Sequence, residues 1–259
     1  MDSGKVYFIG AGPGDPDLIT VKGRKLLEEA EVIIYAGSLV SREHFQGCRE
    51  DVKLHDSAAM TLNQVIETIV EAKGKNKKIV RLHTGDPAIY GAIKEQMDEL
   101  DKLSINYEVV PGVSSFTAAA ASINREFTLP SVSQTVILTR MEGRTPVPEK
   151  ENLERLASIG ASMALFLSVG MIEKVVGKLR KGYGRNVPVA VIQRATWKDE
   201  KVVIGTLDDI AEKVKEANIT KQAQILVGDF IDCNYEKSLL YDENFTHMFR
   251  TGKNENSHN

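Results

Sequence analysis

Cysteine is nearly missing from this 259-residue chain: Cys48 and Cys233 stand alone and form no C-x-x-C pair. That argues against a disulfide framework and a cysteine-based zinc site, and it fits a reducing cytoplasm. Excess positive charge is missing as well. The chain has 33 Lys+Arg against 36 Asp+Glu, a formal charge of −3, so no global basic field points to nucleic acid and an acidic ligand must be met by a local cluster. No uninterrupted apolar run approaches membrane-spanning length, and Met-Asp-Ser-Gly-Lys leads straight into a predicted strand. The expectation is a soluble, cytoplasmic protein. His44, His55, His83, His247 and His258 show no H-x-x-H or H-E-x-x-H spacing, so no protein metal site is expected. The one dense basic run, Lys73 to Lys78, lacks interleaved aromatics and precedes a strand, which makes it a solvated turn.

What is present is a repeated alternation of short apolar strands with amphipathic helices, the pattern of an α/β layer structure. Strands are predicted at Val6 to Ile9, Val32 to Tyr35, Lys78 to Leu82 and Tyr107 to Val110. The accompanying helices run Thr20 to Glu29, Thr61 to Lys73, Ile93 to Leu103 and Ser114 to Ser122. After a loop at residues 128–131, a second set follows, with strands at Thr135 to Thr139, Met163 to Leu167, Val187 to Ile192, Lys201 to Gly205 and Gln224 to Asp229. Its helices are predicted at Glu149 to Ser158, Met171 to Leu179 and Leu207 to Ala217. Lys201 to Gly205 follows its predecessor too closely for a helical crossover, so antiparallel pairing is expected there. The reading is two α/β domains, residues 1–127 with a mainly parallel sheet and 132–242 with a mixed one. A polar tail, 243–259, is expected to be disordered.

Three loops sit where open α/β sheets place ligands, at the carboxyl ends of strands. The first, Gly10-Ala-Gly-Pro-Gly-Asp15-Pro16, resembles a dinucleotide loop but fails its tests. Asp15 stands in place of the third glycine, Pro13 and Pro16 remove N–H donors, and no acidic residue ends the second strand, which runs into Ala36-Gly37-Ser38. The second loop is Thr84-Gly-Asp-Pro-Ala-Ile-Tyr-Gly91 and the third Pro111-Gly-Val-Ser-Ser115. In these, Asp86 either meets a ligand or caps the next helix, and Ser114 and Ser115 either border a ligand or cap theirs.

Together these loops, in this order and spacing, resemble the tetrapyrrole methylases, S-adenosylmethionine-dependent enzymes that methylate corrin precursors. The likeness spans residues 4 to 235. Stretches 35–40, 56–62, 138–147 and 194–198 are similar to the branch acting at carbon 11 of precorrin-4 or its cobalt complex. The uroporphyrinogen III branch carries Asp where this chain has Ala36. The resemblance implies two α/β domains with S-adenosylmethionine in the cleft between them, and a homodimer. It also implies cofactor contacts at Pro13, Gly85, Asp86, Ile89, Ser114 and Ser115, and, from the second domain, at Val169, Gly170, Ala195, Thr196 and Ala223. It turns the first loop, including Asp15, toward the tetrapyrrole.

The chemistry so implied is displacement of a sulfonium methyl by a ring carbon, with alignment as the protein's main contribution. Tyr90, Asp86 or Glu142 are candidates to help remove a proton, and nothing in the sequence chooses among them. Substrate carboxylates call for cations, and Arg42, Arg140, Arg144, Arg194 and Lys198 lie on predicted loops. Trp197 either stacks on the tetrapyrrole or packs beneath it. Two other readings stay open: a related methylase acting on uroporphyrinogen III, RNA or protein, and a non-catalytic nucleotide-binding module.

Overall fold

The computed structural model describes residues 2 and 4–253. The last residues of the predicted tail, 254–259, lie outside the described residues. The chain forms two compact units: residues up to Ser122 with Arg194–Lys201, and Ile123–Gln193 with the residues from Val202 onward.

The first unit contains β1 (Lys5–Gly10), α1 (Val21–Glu29), β2 (Val32–Tyr35), β3 (Lys53–Asp56), α2 (Leu62–Gly74), β4 (Ile79–His83), α3 (Ile93–Lys102), β5 (Asn106–Val110) and α4 (Ser115–Ser122). Its sheet runs β3-β2-β4-β1-β5 with every adjacent pair parallel. Parallel strands covered on both faces need apolar residues on both, and the sequence supplies them. Along β1, Val6 and Phe8 face one core with Val65, Ile69 and Leu100, while Tyr7 and Ile9 face another with Leu27, Ile33 and Leu82. Thr20 caps α1 by accepting from Gly23 N–H, and Thr61 with Gln64 forms a reciprocal capping box on α2. Strand β3 was not predicted: Lys53, Leu54 and Asp56 are exposed, and an edge strand of that kind carries no apolar run to read.

The second unit contains β6 (Val136–Arg140), α5 (Leu153–Ala157), β7 (Ser162–Phe166), α6 (Ile172–Tyr183), β8 (Pro188–Gln193), β9 (Lys201–Thr206), α7 (Ile210–Glu216) and β10 (Ala223–Val227). The order is β6-β7-β10-β8-β9, with β6 and β7 parallel and β10 antiparallel to both β7 and β8, the mixed sheet expected. The helix predicted over Glu149 to Ser158 is shorter. Asn152 adopts an extended conformation and its side chain accepts from Arg155 N–H, so α5 starts after it and Glu149–Glu151 is a separate 3-10 turn. Met163, Leu165, Val189, Val191 and Ile225 pack with Val175, Leu179, Ile210 and Val214 in its core. Beyond β10, His247 and Arg250 form an isolated bridge, and the Arg250 guanidinium donates to the Leu240 carbonyl. Among the described residues no helix is long and apolar enough to cross a membrane.

Strand β1 ends in Gly10, and its neighbours β4 and β5 are each followed, after one residue, by Gly85 and Gly112; the three backbones touch. A Cβ on Gly112 would lie 2.2 Å from the Gly85 oxygen and 2.8 Å from Gly10 Cα, and one on Gly10 would lie 2.5 Å from the Gly85 oxygen. Replacing Gly112 by Ala is therefore expected to destabilise the fold by about 1–3 kcal/mol, the usual cost of overpacking. Gly177→Ala, in α6 with open space around the new methyl, should be neutral or stabilising by about 0.5–1 kcal/mol. Urea unfolding of the two variants checks the contrast, and equal midpoints would refute it.

Candidate active site

Hydrogen bonds stitch the three loops at this strand edge. Ala11 N–H donates to the His83 carbonyl at 2.7 Å, and Gly12 and Gly85 exchange backbone bonds of 3.3 and 2.8 Å. Asp86 joins the other two loops. Its Oδ1 accepts from Ala88 N–H at 2.8 Å and its Oδ2 from Gly112 N–H at 2.9 Å. It is not a cap of α3, which begins seven residues later after Ala92. Both carboxylate oxygens serve loop backbone. Ile89 N–H closes the same turn on the Asp86 carbonyl, and Tyr90 beyond it is exposed in the left-handed region at φ 55°. Ser114 is buried, its carbonyl accepting from Thr117 Oγ1, and Ser115 opens α4.

The segment Arg194–Lys201, expected in the C-terminal half, groups with the first unit because it is bonded to the first loop. Trp197 Nε1 donates to the Pro13 carbonyl at 2.9 Å, and Asp15 N–H donates to Thr196 Oγ1 at 3.0 Å. A Cβ on Gly14 would fall 2.1 Å from Trp197 Cδ1, so that glycine makes room for an indole. On the indole lies the Arg194 guanidinium, 3.9 Å from the ring centroid. Thr196 is β-branched yet sits at φ 70°, with Ala195 buried beside it. Such strain persists only where neighbours hold it, and here Glu200 accepts from Thr196 N–H at 2.6 Å and from Ser122 Oγ at 2.8 Å. Asp15 Oδ1 accepts from Asp17 N–H, capping the turn Pro16–Leu18. His44 and Arg24, which the sequence did not single out for this site, complete the support. His44 Nε2 lies 2.8 Å from the Ala11 carbonyl, and Arg24 donates to the Pro16 carbonyl.

The predicted cations divide. Arg140 donates to the carbonyls of Met141, Thr145 and Pro146, so it holds its own loop together. Arg194 pairs with Asp199 and Lys198 with Glu43. Arg42 and Arg144 are exposed, with no ion pair among the described residues. In the second unit, Val169 is buried and Gly170 exposed just after β7, while Ala223 opens β10. The turn before them is anchored by Ser168 Oγ, which accepts from Met141 N–H and donates to the Phe166 carbonyl. Glu142 is paired with Lys178.

Beneath the second loop lies a polar group that the sequence reading passed over. Arg81 and His83, alternate residues of β4, are 6 % and 3 % exposed. Burial without a carboxylate partner draws the Arg81 guanidinium down to about 10, and burial together with that neighbouring charge draws the His83 imidazole down to about 3. Among the described residues neither His83 Nε2 nor the adjacent Thr84 Oγ1 has a hydrogen-bond partner. The signal was an arginine and a histidine inside the otherwise apolar strand Ile79–His83.

A strand edge with glycine-lined loops, the same loops that suggested a family by their spacing, now has a comparison to meet. Residues 5–211 match the model of the tetrapyrrole (corrin/porphyrin) methylases. The chain belongs to that family. A cobalt-precorrin-4 C(11)-methyltransferase from Methanocaldococcus jannaschii is 56 % identical over 248 residues, covering 95 % of this chain and 96 % of the relative. A precorrin-4 C(11)-methyltransferase from Pseudomonas aeruginosa is 46 % identical, with coverage of 96 % and 99 %. The solved structure of a cobalt precorrin-4 methyltransferase, described as a cobalamin biosynthetic enzyme, superposes with TM-score 0.87 at 47 % identity, covering 89 % of this chain and 97 % of that one. A Thermus thermophilus uroporphyrin-III C-methyl transferase solved with S-adenosyl homocysteine shares the fold at TM-score 0.72 and 24 % identity, covering 88 % and 98 %. Tetrapyrrole methylase architecture thus accounts for the two sheets, as the sequence reading expected.

Two outcomes are expected from this geometry. Because the folded His83 titrates near 3 rather than 6.5, only the unfolded chain takes up its proton between those values. The stability is present above pH 6.5 and is lost as pH falls, by up to about 1.4 kcal/mol per unit. Urea titrations between pH 7 and 4.5 should show a shallower acid loss in His83→Gln, and parallel curves would contradict it. For Asp86→Ala, two backbone donors lose their acceptor, so thermal unfolding should show a loss of about 2–3 kcal/mol. Asp86→Asn, which keeps one acceptor oxygen, should lose less.

Proposed function

We propose that this chain is an S-adenosylmethionine-dependent C-methyltransferase that acts at carbon 11 of precorrin-4, with or without cobalt, in cobalamin biosynthesis. The observation that carries the reading is near-full-length identity to relatives that bear this name, with the quoted loop motifs intact. Methylation of uroporphyrinogen III is disfavoured by Ala36, which stands where that branch has Asp. We also infer a cytoplasmic homodimer, as the family resemblance implies.

The residues present suit the donor. Gly85 at φ 63° brings bare backbone to the strand edge, and the buried Thr84 hydroxyl beside it has no partner among the described residues. Pro13, Gly85, Asp86, Ile89, Ser114, Ser115, Ala195 and Thr196 in the first unit, and Val169, Gly170 and Ala223 in the second, are the donor positions that the family resemblance implies. S-adenosylmethionine supplies a methyl on a cationic sulfur, so that as the new carbon–carbon bond forms the carbon–sulfur bond breaks and a neutral thioether leaves.

The chain's own task is then positioning. Stitched backbone at Gly10, Gly12, Gly85 and Gly112 cannot drift, and pre-oriented reactants gain on the order of 7–11 kcal/mol over encounter in water. Asp86 spends both oxygens on loop N–H groups and Glu142 is paired with Lys178, so neither is poised to take a proton. Tyr90, exposed on the second loop, is the third candidate for that role.

Incubation with methyl-labelled donor and precorrin-4, prepared with and without cobalt, tests the reading. A product one methyl heavier, with the label at carbon 11, is expected. Transfer to uroporphyrinogen III alone, or to neither ring, would overturn it.

A further inference from the structure

Two of the implied donor positions, Ala195 and Thr196, lie in the segment Arg194–Lys201, which belongs to the first unit although the second flanks it in sequence. Backbone bonds close it as a pair of turns: Trp197 N–H donates to the Arg194 carbonyl at 3.0 Å and Glu200 N–H to the Trp197 carbonyl at 3.1 Å. Arg194 and Thr196 both sit in the left-handed region, at φ 51° and 70°. A β-branched residue does not hold that conformation by its own preference. Thr196 N–H is turned onto Glu200 Oε2, 2.6 Å away, and the same oxygen accepts from Ser122 Oγ at 2.8 Å.

Those two bonds are not needed to close the turns, which the backbone closes already. What they add is a fixed relation between elements, made by charge-assisted bonds that are stronger than neutral ones. Ser122 is the last residue of α4, a helix that starts at Ser115 directly after Ser114. Thr196 Oγ1 accepts in turn from Asp15 N–H of the first loop, and Trp197 Nε1 donates to the Pro13 carbonyl of that loop. One oxygen of the partly buried Glu200 thereby ties the helix that begins at two implied donor positions to the strained turn that carries two more, and through that turn to the first loop. Backbone strain that neighbours over-determine is a recurrent property of ligand clamps.

We propose that Glu200 is a positioning residue for the methyl donor: it fixes Thr196 and α4 against each other, so that Ala195, Thr196, Ser114 and Ser115 are already in place when the donor arrives. The proposal rests on the reading above that these are donor positions. Without the acceptor oxygen, Thr196 is free to return to negative φ, which carries its hydroxyl off Asp15 N–H and loosens the Trp197 indole from Gly14. Donor affinity and the packing of the single tryptophan are therefore expected to change together.

Variants of the full chain test this. Glu200→Ala removes the acceptor, Glu200→Gln keeps an acceptor oxygen at the same reach, and Ser122→Ala removes the tie to α4. Thr61→Ala, which breaks the capping box of α2, is the control for lost stability alone. S-adenosylhomocysteine is titrated by calorimetry, and the exposure of Trp197 is followed by acrylamide quenching. Glu200→Ala is expected to bind about tenfold more weakly with Trp197 more readily quenched, and Glu200→Gln to stay within about threefold of the parent on both readouts. Ser122→Ala is expected to lose about threefold, and to lose nothing further in the Glu200→Ala background. Thr61→Ala lowers the melting temperature and leaves affinity and quenching as they are. Parent-like affinity in Glu200→Ala overturns the proposal, as do equal losses in Glu200→Gln and Glu200→Ala, additive losses in the double variant, or a Thr61→Ala protein that weakens binding in step with its melting temperature. Should Glu200→Ala fail to fold, Ser122→Ala decides, and parent affinity there overturns the proposal. A parent that binds no S-adenosylhomocysteine overturns the donor reading and the proposal with it, whereas a parent that binds it no better than Glu200→Ala overturns the proposal alone.

Discussion

Backbone-to-backbone contact among Gly10, Gly85 and Gly112 is the constraint on which the candidate site rests. Three parallel strands reach the same level and their exits have no side chain between them, so each loop becomes a wall for the next. Peptide groups so close must pair, and they do, through Ala11 with His83, Gly12 with Gly85 and Asp86 with Gly112. The glycines here serve close packing, not the approach of a pyrophosphate. That accounts for the prolines at 13 and 16: a loop that is not required to turn its N–H groups on an anion can forgo them.

Charge is distributed in keeping with that frame. Apart from Arg42 and Arg144, the predicted cations are bound to neighbours, and the carboxylates nearest the loops are committed to backbone or to lysine. The site is therefore short of side chains poised for proton transfer and rich in fixed peptide dipoles. A reaction whose leaving group is already activated asks for placement more than for acid or base. The exception is the buried arginine under the second loop; burial, joined by this cation's charge, holds His83 two residues on in the neutral form.

Regular elements were legible wherever burial imposed a period. The runs in β1 and β2 are apolar on both faces and announced a parallel sheet; Thr20 and Thr61 announced helix starts. Edge strand β3 was not legible, because an exposed edge obeys no such pattern, and the Asn152 interruption before α5 depends on a side-chain bond that periodicity does not register. In the site, the identity and order of the loops could be read, but not what their side chains bond. Asp86 has the composition of a ligand contact and the partners of a strut. Arg140 looked like a rim cation and braces its own turn. Gly14 carried no reading of its own in the sequence, and its partner is an indole 183 residues further along, a pairing that only the folded chain reveals.

That last pairing bears on how the protein is made. The segment that clamps the first loop, Arg194–Lys201, is threaded between two strands of the second sheet, so the first unit is discontinuous in sequence. During synthesis the nascent amino-terminal sheet can form from local βαβ pairings, but its leading loop waits for Thr196 and Trp197, which emerge more than seventy residues after Ser122. Contacts of such long sequence separation are among the last a chain can close. The first loop can bond to the second as soon as Gly85 has been made, but its clamp closes only after much of the second unit has been synthesised.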